Sequence, residues 1–316
     1  MAVYTDVPFE ELERFLTQYD IGEPTSFKGI AEGVENSNYF LRTASGAYIL
    51  TLYEKRVRAK DLPFFLGLMD HLAAKRIPCP LPVGRKDGAL FGSVCGRPAA
   101  LLTFLNGVSL REPEPVHCAA AGAALAAIHD AGEDFKSMRP NALGYEAWKT
   151  LGVQIGPRAD EIEPGLTALI ELAIDQSKPP ALPVGLIHAD LFPDNVLFTG
   201  SKISGVIDFY FACTDAFAYD LAVLLNAWCF DGKGHFDVRR GKSLFAGYRR
   251  RRELAKEEID ALPVLARGAA LRFLLTRLYD LLHHDARALV RPKDPREFAS
   301  RLRFHLKVRD AAEYGL

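Results

Sequence analysis

One stretch limits the folds open to this chain more than any other: Val184 to Asp208, VGLIHADLFPDNVLFTGSKISGVID. It sets His188, Asp190, Asp194 and Asn195 within eight residues, between two apolar runs that read as buried strands. The spacing is H-x-D-x-x-x-x-N, which curls one short loop around a single point. There the carboxylate of Asp190 can accept a proton from an attacking hydroxyl, and the carboxamide oxygen of Asn195 can ligate a hard cation. The hairpin NVLFTGSKISGVIDF returns the chain to its start and is expected to set Asp208 beside Asn195. Two oxygen ligands on adjacent strands suit magnesium, which takes one or two carboxylates together with substrate phosphates.

The rest of the chain divides around this core. PFEELERFLTQY carries Phe9, Leu12, Phe15, Leu16 and Tyr19 at helical spacing, with acids early, and reads as an amphipathic helix. NSNYFLRT and AYILTLY, joined at Ala44-Ser45-Gly46, read as a hairpin; ALFGSVCG and RPAALLTFL read as two more strands. Between them Asp61–Arg76 has helical periodicity and stops at the breaker-rich IPCPLP. After Asn106-Gly107 the texture turns helical, from Pro115 to Ala131 and again beyond Ala216, with Val184–Asp208 as the one strand-like interruption. The expected class is α+β, with a small, mostly antiparallel lobe plus helix over residues 1–106 and a larger, mainly helical lobe over 107–316. Asn141–Pro183, with a helical piece near Gly165–Ser177, is expected to be an insertion covering the cleft.

The H-x-D-x-x-x-x-N run, its apolar hairpin and the following Ile207-Asp208-Phe209 resemble the catalytic core of protein-kinase-like phosphotransferases. The variants at His188 and at Asp208-Phe209-Tyr210 are similar to the aminoglycoside phosphotransferase and choline kinase branch. The resemblance spans Pro8 to Lys307. It implies a two-lobed protein-kinase-like fold, ATP as phosphoryl donor, Mg2+ held by Asn195 and Asp208, and Asp190 as the base or orienting group for the acceptor hydroxyl. It also implies that His188 and Asp220 brace the loop. GIAEGVENSNYFLRT, LLNAWCF and LRFLLTRLYD are similar to stretches of the bacterial homoserine kinases of that branch, which implies L-homoserine as acceptor and O-phospho-L-homoserine, on the route to threonine, as product. Hydroxylysine, choline, methylthioribose or an aminoglycoside as acceptor, or a non-catalytic nucleotide-binding module, are the competing readings.

For the nucleotide, Gly29 and Gly33 lie in a turn between two strand-like runs, where backbone N–H groups can approach phosphate oxygens, and Asn36 and Ser37 add side-chain donors. The third strand departs from the resembled pattern, because the phosphate-holding Lys or Arg position is Thr51 here. Either Lys55 or Arg56 at the strand's end supplies that charge, with Asp61 as acidic partner, or Thr51 makes a neutral contact. The resemblance places a hinge at Thr103 to Leu105, whose backbone meets the adenine edge.

For the acceptor, Arg272 and Arg277 interrupt an otherwise apolar helix, about 140° apart at 100° per residue, so at most one faces the acceptor squarely. A buried arginine needs a carboxylate or phosphate partner, which is either the acceptor or a protein acid such as Asp280 or Asp220. Trp228 either walls the acceptor pocket or packs in the core, and Asp194 is the loop acid placed to face the acceptor. The basic run Tyr248–Glu258 reads as a solvated helical face.

Charge decides the class of partner. Lys and Arg number 39 against 40 Asp and Glu, so no global field favours nucleic acid or an anionic membrane, and small molecules are the expected partners. Five scattered cysteines show no zinc or disulfide spacing, and the chain opens without a basic-then-apolar leader, so a cytoplasmic location is expected.

Overall fold

A computed structural model describes residues 5–30, 36–54, 57–284 and 292–316. They form two compact units, Met1–Asn106 and Gly107–Leu316. In the first, five antiparallel strands stand in the order β1-β2-β3-β5-β4: β1 Pro24–Gly29, β2 Ser37–Thr43, β3 Gly46–Leu52, β4 Gly92–Val94 and β5 Arg97–Thr103. Period-two alternation gives the sheet its faces. Tyr39 and Leu41 of β2, Leu50 and Leu52 of β3, and Ala99 and Leu101 of β5 share one buried cluster with Leu12, Phe15 and Leu16 of helix α1 (Phe9–Leu16). Each large apolar side chain buried this way contributes about 1.5–3 kcal/mol. Glu10 and Glu11 in the first turn of α1 and Arg14 in the last complement its dipole. Helix α2 (Leu62–Ala74) buries Leu62, Phe65, Leu66, Leu68, Met69 and Leu72.

The second unit is a bundle: α3 Pro115–Ala131, α4 Tyr145–Ile155, the short α5 Ala159–Ile162, α6 Leu166–Gln176, α7 Phe217–Trp228, α8 Val238–Arg249, α9 Lys256–Leu282 and α10 Arg296–His305. Helix α9 is its axis, with α4, α6, α7 and α10 packed on it. Helices α3 and α8 approach at glycines: a Cβ on Gly122 would stand 2.2 Å from the Leu244 carbonyl oxygen, and one on Gly247 2.0 Å from that of Ala119. Residues 141–183 supply α4 to α6, fixed to α9 where Trp148 lies against Gly268.

The strand content of this unit also exceeds the expectation. Besides β6 (Val184–Ile187), β7 (Val196–Thr199) and β8 (Lys202–Val206), there is β9 (Cys213–Ala216), antiparallel to β6. Its sequence CTDA is too short and too polar to carry a strand signal; pairing with β6 makes it one. Among the described residues, no helix is long and apolar enough to cross a membrane.

Candidate active site

The H-x-D-x-x-x-x-N loop joins β6 to β7, and most of the backbone groups in it have a specific partner. Asp220, in the first turn of α7 and fully buried, accepts from the His188 N–H at 2.7 Å and the Ala189 N–H at 2.8 Å. Asp190 N–H donates to His188 Nδ1 at 3.2 Å, which puts the imidazole proton on Nε2, 3.2 Å from the Ile207 carbonyl oxygen. The Asp190 carbonyl accepts from Phe192 N–H and from Asn195 Nδ2, both at 2.8 Å. The Leu191 carbonyl accepts the Trp228 indole N–H at 2.8 Å. Such satisfaction is what allows a polar loop to sit inside apolar surroundings.

This network settles the electrostatics of the braces. Burial pushes the His188 imidazole below its ordinary pKa, more than the nearby Asp220 carboxylate raises it, so His188 is neutral and structural. Burial opposes ionisation of Asp220 too, but bonds from His129 and the His188 peptide outweigh it and hold its carboxyl below the usual range. His129, on α3, is a brace the sequence reading missed: Nε2 lies 3.1 Å from Asp220 Oδ2, and Nδ1 lies 2.8 Å from the Tyr248 hydroxyl. A lone histidine in LAAIHDAG carries no motif, and only the packing of α3 on α7 gives it a task. Arg252, read as part of a solvated face, is instead the partner of buried Glu258 at 2.9 Å.

At the loop's end, the β7–β8 hairpin pairs Val196 with Val206, and the Ile207 N–H donates to the Asn195 carbonyl at 3.0 Å, so Asp208 follows directly beside Asn195. Asp208 takes a left-handed backbone conformation, φ 64° and ψ 61°. Asn195 Nδ2 also reaches Asp190 Oδ2 at 3.2 Å. Among the described residues both side-chain bonds of Asn195 are donated by Nδ2, so its carbonyl oxygen Oδ1 is the atom left for a cation. With the Asp208 carboxylate, this is a hard oxygen pair of the kind Mg2+ takes.

The substrate candidates fare differently. Trp228 is fully buried, with its indole nitrogen engaged by the loop, so it braces Leu191 and does not wall a pocket. Arg272 is buried, donates to the Ala189 carbonyl and stands 4.0 Å from Asp190 Oδ1. Arg277 diverges from it, as the helical spacing requires, to Glu297 and the Asp294 carbonyl at the start of α10. Both arginines have protein partners, so neither argues for a carboxylated acceptor. Asp194 is exposed and ion-paired with Lys293 at 3.2 Å.

In the first unit, Gly29 ends β1 opposite Tyr39, and Asn36 is buried with its Oδ1 unpartnered among the described residues. Gly33, Lys55 and Arg56 lie outside the described residues. Ser37 is not an exposed donor: it is fully buried, and its hydroxyl bonds Glu54 at 2.6 Å, itself beside Arg97 at 3.3 Å. Thr51 is buried too, its hydroxyl bonded to Asn38 across the β2–β3 ladder at 2.8 Å. Asp61 pairs with Arg58 at 3.3 Å. Thr103 is engaged by Leu81 through both its hydroxyl and its N–H, and the Phe104 N–H goes to the Ala47 carbonyl; among the described bonds the Leu105 N–H is not used.

Known proteins bear on this geometry. The profile of the Phosphotransferase enzyme family matches residues 26–254. The homoserine kinase of Chelativorans sp. (strain BNC1) is 57% identical, over 100% of this chain and 99% of its own. That of Agrobacterium fabrum (strain C58) is 57% identical over the same shares. Among solved structures, a spectinomycin phosphotransferase in complex with ADP and spectinomycin superposes with a TM-score of 0.71, at 14% identity and 98% coverage of both chains. The amicoumacin kinase hAmiN, in complex with AMP-PNP and Ca2+, gives 0.67 at 19% identity, covering 94% of this chain and 91% of its own.

Proposed function

The chain belongs to the phosphotransferase enzyme family, with that family's kinase-like α+β fold, and from that premise we propose that it is an ATP- and Mg2+-dependent kinase that converts L-homoserine to O-phospho-L-homoserine. The acceptor rests on one observation: 57% identity along the whole chain to relatives that are homoserine kinases. The chemistry is the attack of the side-chain hydroxyl on the γ-phosphorus; the bond from that phosphorus to the β,γ-bridging oxygen breaks, and ADP leaves. The hydroxyl proton passes to the Asp190 carboxylate. Such a transfer runs through a loose transition state, so positioning and charge neutralisation supply most of the catalysis.

Asp190 has the support this role needs, since its peptide and one carboxylate oxygen are held by His188 and Asn195. Asn195 Oδ1 and Asp208 would hold Mg2+, which neutralises phosphate charge when bound. Asp194, exposed one residue before Asn195, is assigned to the ammonium of the amino-acid acceptor, exchanging it for Lys293. On the nucleotide side, the assignment keeps Gly29, Asn36 and the Leu105 N–H. All five cysteines are free thiols, which supports a reducing cytoplasm as the site of action.

The test is ATP consumption with homoserine, hydroxylysine, choline, methylthioribose and kanamycin offered separately. Turnover with homoserine well above the others is expected. No turnover with homoserine, alongside turnover with another acceptor, overturns the acceptor and leaves the kinase assignment standing.

A further inference from the structure

We infer that Arg272 is a positioning residue for phosphoryl transfer: it fixes the peptide joining Ala189 to Asp190, and with it the direction of the Asp190 carboxylate, and it does not bind the acceptor. The inference rests on the reading of Asp190 as the group that faces the acceptor hydroxyl.

That peptide is held at both ends. Its carbonyl oxygen, on Ala189, accepts from Arg272 Nη1; its N–H, on Asp190, donates to His188 Nδ1 at 3.2 Å. The hold has something to resist, because Ala189 sits at φ 62°, in the left-handed region that a residue with a Cβ adopts only under constraint. On the other side of Ala189, Asp220 grips the two preceding N–H groups. The turn that aims Asp190 is therefore set by a carboxylate from α7 and a guanidinium from α9, acting on opposite sides of one residue.

The guanidinium is itself immobilised. It lies over the Phe211 ring at 5.2 Å and the Phe273 ring at 4.5 Å, and the residue is 2% exposed. Its Nη2 stands 4.0 Å from Asp190 Oδ1, while Asn195 Nδ2 is 3.2 Å from Oδ2, so each carboxylate oxygen faces a donor. Among the described residues its Nε is buried without a partner, a cost that a plain packing residue in this apolar helix would not carry. An acceptor carboxylate could reach Arg272 only by displacing the Ala189 carbonyl and entering between two rings. Without the guanidinium, that carbonyl is left buried with no donor, and its peptide is free to rotate and carry Asp190 with it.

The experiment is steady-state kinetics of Arg272→Met and Arg272→Lys with homoserine and ATP, alongside thermal melts. A misplaced catalytic group costs roughly a hundredfold in turnover. Arg272→Met should lose about that much kcat, with both KM values within about threefold. Arg272→Lys, which can still donate to the Ala189 carbonyl, should recover at least about tenfold of it. Wild-type kcat in Arg272→Met, a homoserine KM that changes more than kcat, or a lysine variant no better than methionine overturns the assignment. If Arg272→Met does not fold, the kcat-against-KM split of Arg272→Lys decides alone. If the wild type does not phosphorylate homoserine, the acceptor reading fails, and the same split is measured on the acceptor it does phosphorylate.

Discussion

Replacing Asp220 with asparagine keeps its shape and removes its charge, at a position where three donors converge: the His188 and Ala189 peptides and His129 Nε2, at 2.7, 2.8 and 3.1 Å. A hydrogen bond to a charged group is worth about 1.5–3 kcal/mol and a neutral one about 0.5–1.5, so each bond loses about 1 kcal/mol and the three together about 3. Asparagine also turns an NH2 group toward one of those donors, leaving it unsatisfied for about 1–2 kcal/mol more. The expected loss is about 4–5 kcal/mol, a large share of the 5–15 that a domain has. Urea unfolding of wild type and Asp220→Asn measures it as a fall in the midpoint at unchanged slope. The pH dependence adds a second constraint. Because the folded state holds the Asp220 carboxyl below its ordinary 3.8, its contribution is fully present above that value and disappears as pH falls through the lower, folded one. The gap between the proteins should be constant from neutrality down to about pH 4 and narrow below it. A loss under about 1 kcal/mol at neutral pH, or a gap unchanged in strong acid, would refute the claim that Asp220 is the ionised keystone of this loop.

Gly122→Ala should destabilise by at least about 1–3 kcal/mol in thermal melts, because its new Cβ meets helix backbone at the Leu244 carbonyl and cannot be relieved by a rotamer change; an unchanged melt would mean that α3 and α8 are not in such close contact. Asn195→Ala and Asp208→Asn should each raise the Mg2+ concentration giving half-maximal rate by about tenfold or more, as expected when one of a few oxygen ligands is removed; unchanged Mg2+ titrations in both would remove them from the metal site. Asp194→Asn should raise the homoserine KM about tenfold while leaving the ATP KM within about threefold, the size of one charge-assisted contact; an unaltered homoserine KM would exclude Asp194 from the acceptor site.

What could be read from the chain beforehand follows from the range of the interactions concerned. The loop His188–Asn195 and the hairpin to Asp208 are local, so spacing and strand periodicity expose them. The division near Asn106 is likewise visible as a change of texture. The braces on the same loop are not local: Trp228, Arg272 and His129 come from α7, α9 and α3, and no spacing rule says that an indole or guanidinium in an apolar helix points at a backbone carbonyl elsewhere. That is why the sequence leaves Trp228 and Arg272 open between acceptor contact and protein partner, and only the fold makes them loop contacts. Ser37 and Thr51 mislead for a related reason. A polar residue on a strand looks available until the fold supplies Glu54 and Asn38 as partners.

The central claim is that a precisely held Asp190 carboxylate directs transfer of phosphoryl from ATP to homoserine. Phosphorus NMR of ATP, Mg2+ and homoserine, incubated with wild type or Asp190→Asn, measures it directly. Wild type should accumulate O-phosphohomoserine and ADP in equal amounts, and the variant should form product about 10²–10⁴-fold more slowly, the span general-base catalysis supplies, while binding a non-hydrolysable ATP analogue within about threefold of wild type. Product formation by Asp190→Asn within about tenfold of wild type, or no O-phosphohomoserine from wild type, would contradict the account.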